Sequence, residues 1–321
     1  MKKIIDNYKV IAIIGLAKNT GKTTTLNYLL KQYENVGITS IGLDGEDYDQ
    51  IYFHEKPKIF VKKNNYVVTA INTLKDTNLK YEVVFSFDID TPLGNLILIK
   101  ITEEGNLVIA GPTKNNDLKA VISELKKYTN KVFVDGAFNR ITFSAINEVE
   151  GIVLATGAQV STNMENTINK TKMLLDLFSL EETKIAKPNS NITIYEEKSV
   201  FQLKTKDLSQ FENIVINNNK ITRIIVLGAV SEKFIDILLK HKIKNYELIF
   251  DDATKFLASY KKYEYLKKLN VQMKVFNKNN ILFVTINPFR ATHKHYDKDI
   301  FKEEIQKITN LKVINIKEQN E

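Results

Sequence analysis

One stretch near the start of the chain constrains the fold more than any other: VIAIIGLAKNTGKTTTLNYLL, residues 10–30. Its first five residues are apolar and four of them β-branched, which suits a strand buried on both faces. A turn bounded by Gly15 and Gly21 follows, and KTTTLNYLLKQY continues as a helix whose Leu26, Leu29 and Leu30 share a core-facing side. A strand that feeds a glycine-containing turn into a helix start is an anion-binding arrangement, because backbone N–H groups and the helix dipole converge there. The Gly21-Lys22-Thr23 core fits the end of the G-x-x-x-x-G-K-[ST] pattern, yet the spacing from Gly15 is one residue longer.

In this reading Lys22 reaches the β- and γ-phosphates of a nucleotide, Thr23 offers its hydroxyl to Mg²⁺, and Gly21 lets the backbone approach without a Cβ in the way. The candidate nucleotide-binding set is Gly15, Ala17, Lys18, Asn19, Thr20, Gly21, Lys22, Thr23 and Thr24. ATP is the expected nucleotide; no N-K-x-D guanine signature is evident, and GTP stays open.

Two carboxylates suit the metal. The second strand ends ITSIGLDGEDYDQ, which puts Asp44 just past a strand terminus, where a carboxylate holds Mg²⁺ through water or orients an attacking water. Asp44 is therefore both the candidate catalytic residue and a candidate metal residue, with Asp47 and Asp49 as competitors and a surface turn as the plainer alternative. The run KVFVDGAFNR, residues 131–140, turns from hydrophobic to acidic at Asp135, the form of a Walker B segment whose aspartate accepts a Mg²⁺-bound water near Thr23. Asn139 and Arg140 behind it suit a surface salt bridge more than a phosphate. Thr156 and Gly157 in ATGAQVSTNM fall on the same face of the sheet, where loop geometry explains the glycine as well as a nucleotide base does. His293 and His295 alternate in PFRATHKHYDKD without a carboxylate at ligand spacing, which favours surface residues over a metal pair.

Around this stretch, short β-branched runs alternate with helical patterns, the signature of an α/β fold with a mostly parallel sheet. Strands are expected at 10–14, 38–43, 58–62, 66–70, 82–87, 96–102, 107–110, 132–134 and 152–155, and helices at 23–33, 117–128 and 163–178. LILIKITEEGNLVIAG reads as a hairpin around Glu103-Glu104-Gly105-Asn106. A polar stretch holding Pro188 suggests a boundary near Glu182–Asn191, giving a nucleotide-binding domain over 1–185 and a smaller α/β domain over 186–321, a candidate for partner binding. In the latter, strands fit ITRIIV, YELIF, VQMKVF, ILFVTINPF and VINI, with helices about 231–241, 253–269 and 299–309.

Composition removes several functions. With no cysteine, disulfides, thiolate zinc sites, iron–sulfur clusters and cysteine nucleophiles are excluded, and with them a glutaminase activity. The net charge of +8 is carried almost wholly by scattered lysines, with arginine only at 140, 223 and 290, so nucleic acid is not expected as a partner. The apolar run from Val10 stops at Lys18, and no run is long enough to span a bilayer, so no membrane partner and a cytoplasmic location are expected.

The G-x-x-x-x-x-G-K-T spacing resembles the loop of dethiobiotin synthetase and its relatives, a branch of the P-loop NTPases. In the dimeric ATPases of that branch a second lysine sits five positions before the loop lysine; here Ala17 stands there and the lysine is at 18, against a lysine-crossed sandwich dimer. GLAKNTGKTTTLNYL together with FVDGAFNR further resembles the P-loop subunit of the lysine 5,6-aminomutase reactivase. That resemblance implies a chaperone that uses nucleotide to exchange damaged cobalamin on an adenosylcobalamin-dependent aminomutase, with a MutS-like companion ATPase. The chain lacks a D-x-H-x-x-G cobalamin motif, in keeping with action on the mutase rather than on the cofactor. The alternatives are a dethiobiotin-synthetase-like enzyme that activates a carboxylate or carbamate, and a GTP-binding cofactor-delivery protein.

Overall fold

The computed structural model describes residues 1–41, 58–75, 77–136, 148–204, 207–217, 220–290 and 295–318. It is a mixed α/β protein that divides into two compact units, one formed by residues 1–168 with 280–321 and the other by 169–279.

The first unit is built on a nine-stranded sheet. In chain order its strands are β1 (Val10–Gly15), β2 (Gly37–Ser40), β4 (Tyr66–Ala70), β5 (Tyr81–Ser86), β6 (Leu96–Ile101), β8 (Val132–Asp135), β9 (Gly151–Gly157), β15 (Ile281–Asn287) and β16 (Val313–Asn315). A separate two-stranded ribbon joins β3 (Ile59–Val61) to β7 (Gly105–Leu107). The sheet order is β16-β15-β9-β1-β8-β2-β4-β6-β5, parallel from β16 to β4 and antiparallel at β6. The C-terminal ends of the seven parallel strands therefore share one edge, carrying Asn315, Asn287, Gly157, Gly15, Asp135, Ser40 and Ala70.

Strand β1 is buried along its whole length, as a central parallel strand of continuous apolar residues must be. The short α1 (Lys2–Ile5) precedes it and α2 (Lys22–Leu30) follows, burying Thr25, Leu26, Leu29 and Leu30 at helical spacing. Each leucine so buried stabilises the fold by roughly 1.5–3 kcal/mol. Helix α3 (Asn115–Leu125) repeats the pattern with Leu118, Val121, Ile122 and Leu125. Helix α4 (Met164–Phe178) starts behind Asn163, whose Oδ1 accepts from Glu165 N, and the division between the units falls within it.

The second unit has a five-stranded sheet of β10 (Ile192–Glu196), β11 (Val200–Leu203), β12 (Ile221–Val226), β13 (Glu247–Phe250) and β14 (Gln272–Val275), in the order β11-β10-β12-β13-β14. Strands β12, β13 and β14 are parallel, while β10 and β11 are antiparallel additions. Helices α5 (Leu208–Asn217), α6 (Glu232–Lys240) and α7 (Tyr260–Lys268) belong to it, and α8 (Lys298–Lys307) lies back in the first unit.

Three expectations from sequence differ from this fold. The segments ILFVTIN and VIN, assigned by rhythm to the smaller domain, form β15 and β16 of the large sheet, because β15 pairs with β9 from Ile152 to Gly157. No hairpin joins residues 96–110: β6 takes β5 and β4 as antiparallel partners, and β7 leaves the sheet to pair with β3. Beyond Leu107, Ala110 N bonds Thr69 Oγ1, Gly111 N bonds Ser40 Oγ and Ala70 N donates to Ala110 O at 2.8 Å, so side-chain bonds together with that backbone bond hold the segment in place of a strand ladder. The single helix expected over 253–269 is instead a 3₁₀ turn at Ala253–Lys255 and then α7, because Phe256 is extended and buried between the rings of Phe250 and Tyr263. Among the described residues no helix is long and apolar enough to cross a membrane.

Candidate functional site

The edge that gathers the parallel strand ends also carries the turn between β1 and α2. Leu16 N donates to Ala155 O at 3.2 Å, tying the start of the turn to β9. From there the backbone folds on itself: Thr20 Oγ1 donates to Ala17 O at 3.0 Å and Lys22 Nζ donates to the same oxygen at 2.9 Å. A Cβ on Gly15 would stand 2.4 Å from Thr20 Oγ1 and 2.7 Å from Lys22 Cγ, so this closure needs glycine there. Asn19 and Gly21 are both left-handed, with φ of 59° and 92°. Asparagine and glycine are the residues that adopt that conformation at least cost.

Gly21 also begins α2, and no side chain caps the helix N-terminus. The first-turn N–H groups of such a helix, with the positive end of its dipole, favour an anion. Lys22, Thr23 and Thr24 are half-buried in that first turn, while Thr20 is fully buried.

Asp135 closes β8, the strand next to β1, in register with Ile13 on one side and Ser40 of β2 on the other. Its Oδ1 is shielded from solvent and accepts no hydrogen bond among the described residues. Burial pushes its carboxyl up to about 6 from 3.8, against the opposing pull of the Lys22 charge and the Gly136 N–H. A shielded carboxylate oxygen without a donor is costly unless a cation or a proton joins it. The structure thus brings Lys22, the first turn of α2 and Asp135 to one edge, an ammonium and backbone donors on one strand end and an acid on the next.

Asp44, Asp47 and Asp49 lie outside the described residues, as do Asn139, Arg140 and His293. Thr156 is buried within β9, and Gly157 owes its identity to packing: a Cβ there would lie 2.3 Å from the carbonyl oxygen of Asn287. His295 is engaged in its own loop, its Nδ1 accepting from Arg290 N at 2.9 Å and its ring meeting Phe289 edge-on. Among the described residues no group of three or more His, Asp or Glu side chains is placed to hold a metal ion.

Two contacts at this edge escaped sequence reasoning. Asn287 Nδ2 donates to Asn19 O at 3.1 Å, and Thr25 Oγ1 donates to Thr285 Oγ1 at 3.0 Å in a buried bond. The available signal was a polar residue ending an apolar run, in TINPF, but nothing local tells which loop such a residue meets. Comparison of the chain with protein-family models, curated proteins and solved structures finds no match.

Proposed function

We propose that the chain is a P-loop NTPase of the dethiobiotin-synthetase-like branch, binding ATP, with GTP as the alternative, together with Mg²⁺ at the β1–α2 turn. The observation that carries this reading is the pairing of an uncapped helix start and Lys22 with the bond-deficient carboxylate of Asp135 on the adjacent strand. Lys22, which rests on Ala17 O, would exchange that carbonyl for phosphate oxygens. Thr23 and Asp135 would hold the metal, whose charge offsets that of the phosphates and removes the penalty at Oδ1. Asp44, just past β2, is the proposed water-orienting residue.

The wider role follows the resemblance of GLAKNTGKTTTLNYL and FVDGAFNR to the reactivase subunit. We infer a nucleotide-dependent accessory that, with a MutS-like companion ATPase, releases damaged cobalamin from an adenosylcobalamin-dependent lysine 5,6-aminomutase. Phosphate and metal would favour one arrangement of the loops bearing Asp44 and Asp135, and their loss would favour another. The test is recovery of activity by inactivated aminomutase supplied with fresh cofactor, nucleotide, the companion and this protein. Recovery that requires this protein and fails with Lys22→Ala supports the reading; recovery indifferent to this protein sinks it.

A further inference from the structure

We propose that Asn287 is a positioning residue for the β1–α2 turn, holding the Asn19–Thr20 peptide in one orientation from a strand that is not its sheet neighbour. The strand order places β9 between β15 and β1, so β15 must reach across β9 to touch the turn. Gly157 permits this. It is paired in register with Asn287, and a Cβ on it would meet the Asn287 carbonyl oxygen at 2.3 Å and the Asn287 Cβ at 3.2 Å. Ala158 N then donates to Asn287 O at 2.9 Å and fixes the approach.

Both ends of the Asn287 amide are used. Nδ2 donates to Asn19 O at 3.1 Å, while Oδ1 accepts from Phe289 N at 3.2 Å. Turning the amide over would set oxygen against oxygen and N–H against N–H, so the orientation is unique. The peptide bond is planar and trans, and anchoring the Asn19 carbonyl therefore points the Thr20 N–H the opposite way. The left-handed residues Asn19 and Gly21 flank Thr20, and Asn287 Cβ would lie only 3.3 Å from a Cβ built on Gly21. A non-glycine residue in this conformation persists when its surroundings hold it there. The same strand braces the other exit of the turn, since Thr285 takes the hydroxyl of Thr25 in the first turns of α2. The brace exists without ligand; its effect on affinity rests on the phosphate-binding reading above.

The test uses the full chain with Asn287→Asp, Asn287→Ala, Gly157→Ala and, as a control on the reading, Lys22→Ala. Asn287→Asp keeps the acceptor for Phe289 N and turns the donor facing Asn19 O into an acceptor. Hydrogen exchange of unliganded protein should rise about tenfold over residues 16–22 in Asn287→Asp, and rise in Gly157→Ala, with 247–250 unchanged. Unchanged exchange over 16–22 in all three brace variants overturns the proposal. Titration with Mg-ATP should show about tenfold weaker binding for Asn287→Asp. If Lys22→Ala loses Mg-ATP and Asn287→Asp binds it as wild type does, the positioning role fails and the phosphate reading stands. If exchange rises as expected while neither wild type nor any variant binds Mg-ATP, the brace stands and the phosphate reading fails.

Discussion

The two sheets each contain a parallel strand that leads through a glycine-containing turn to a helix, and they start that helix in opposite ways. In the second unit β12 ends at Val226 and passes through a turn holding Gly228 to α6, whose N-terminus is closed by its own residues: Ser231 Oγ accepts from Phe234 N, and the acidic Glu232 occupies the first turn. The acids at the next strand end are in part engaged: Asp252 Oδ1 accepts from both Thr254 N and Thr254 Oγ1, and Asp251 pairs with Lys187 at 2.6 Å, while Asp252 Oδ2 is shielded without a hydrogen-bond partner among the described residues. In the first unit α2 starts on Gly21 with no side-chain cap and no acid in its first turn, and Asp135 Oδ1 on the next strand has no donor among the described residues. Strand, glycine and helix are thus architecture common to both units. What singles out the β1–α2 edge is its helix start, which has neither a side-chain cap nor an acid in the first turn and carries Lys22 beside the Asp135 carboxyl.

That contrast breaks most visibly at Gly15. Gly15→Ala drives a Cβ into Thr20 Oγ1 and the Lys22 stem, and should destabilise the protein by about 3 kcal/mol in denaturant titration while abolishing nucleotide binding. Stability that stays within about 0.5 kcal/mol of wild type would show that the turn opens without cost.

Asp135 gives the next effect, and its sign is specific. Its folded pKa of about 6 lies above the 3.8 expected unfolded, so between those values the folded protein binds more protons than the unfolded chain. Stability without ligand should therefore fall as pH rises from about 4 to about 6. Asp135→Asn should remove that slope and raise stability above pH 6 by about 2 kcal/mol, read from thermal or denaturant melts across the range. An unchanged slope in the variant would place the titration elsewhere.

The smallest effect belongs to the second unit. Ser231→Ala should cost about 1 kcal/mol of stability, the usual worth of a helix cap, and leave nucleotide affinity untouched. A change in affinity of more than about threefold would mean that the two strand ends are not independent.

Much of this was legible before the structure, and the part that was not has a common cause. Val10–Ile14, Tyr66–Ala70 and Val132–Val134 announce themselves through β-branched runs, and the glycine–lysine turn through its place between strand and helix. Such signals are local. The return of β15 to the first sheet depends on pairing with β9, more than a hundred residues earlier, and the apolar run ILFVTIN fits either sheet equally well. Gly105 and its neighbours suit a hairpin by composition, but the choice of partner was made by β5 and β3, outside the window that composition reads. Asn287 was hidden for the same reason, its bond partner lying 268 residues away. The placement of Lys22 and Asp135 at one sheet edge, by contrast, was legible because it depends on where strands end, which a sequence displays.

Calorimetric titration of wild type, Lys22→Ala and Ser231→Ala with Mg-ATP under one set of conditions decides whether the β1–α2 turn holds nucleotide. One binding event per chain is expected for wild type and Ser231→Ala with equal affinity, and a loss of about a hundredfold for Lys22→Ala, on the order of 3 kcal/mol for a charge-assisted phosphate contact. Lys22→Ala binding Mg-ATP as tightly as wild type would contradict nucleotide binding at this turn.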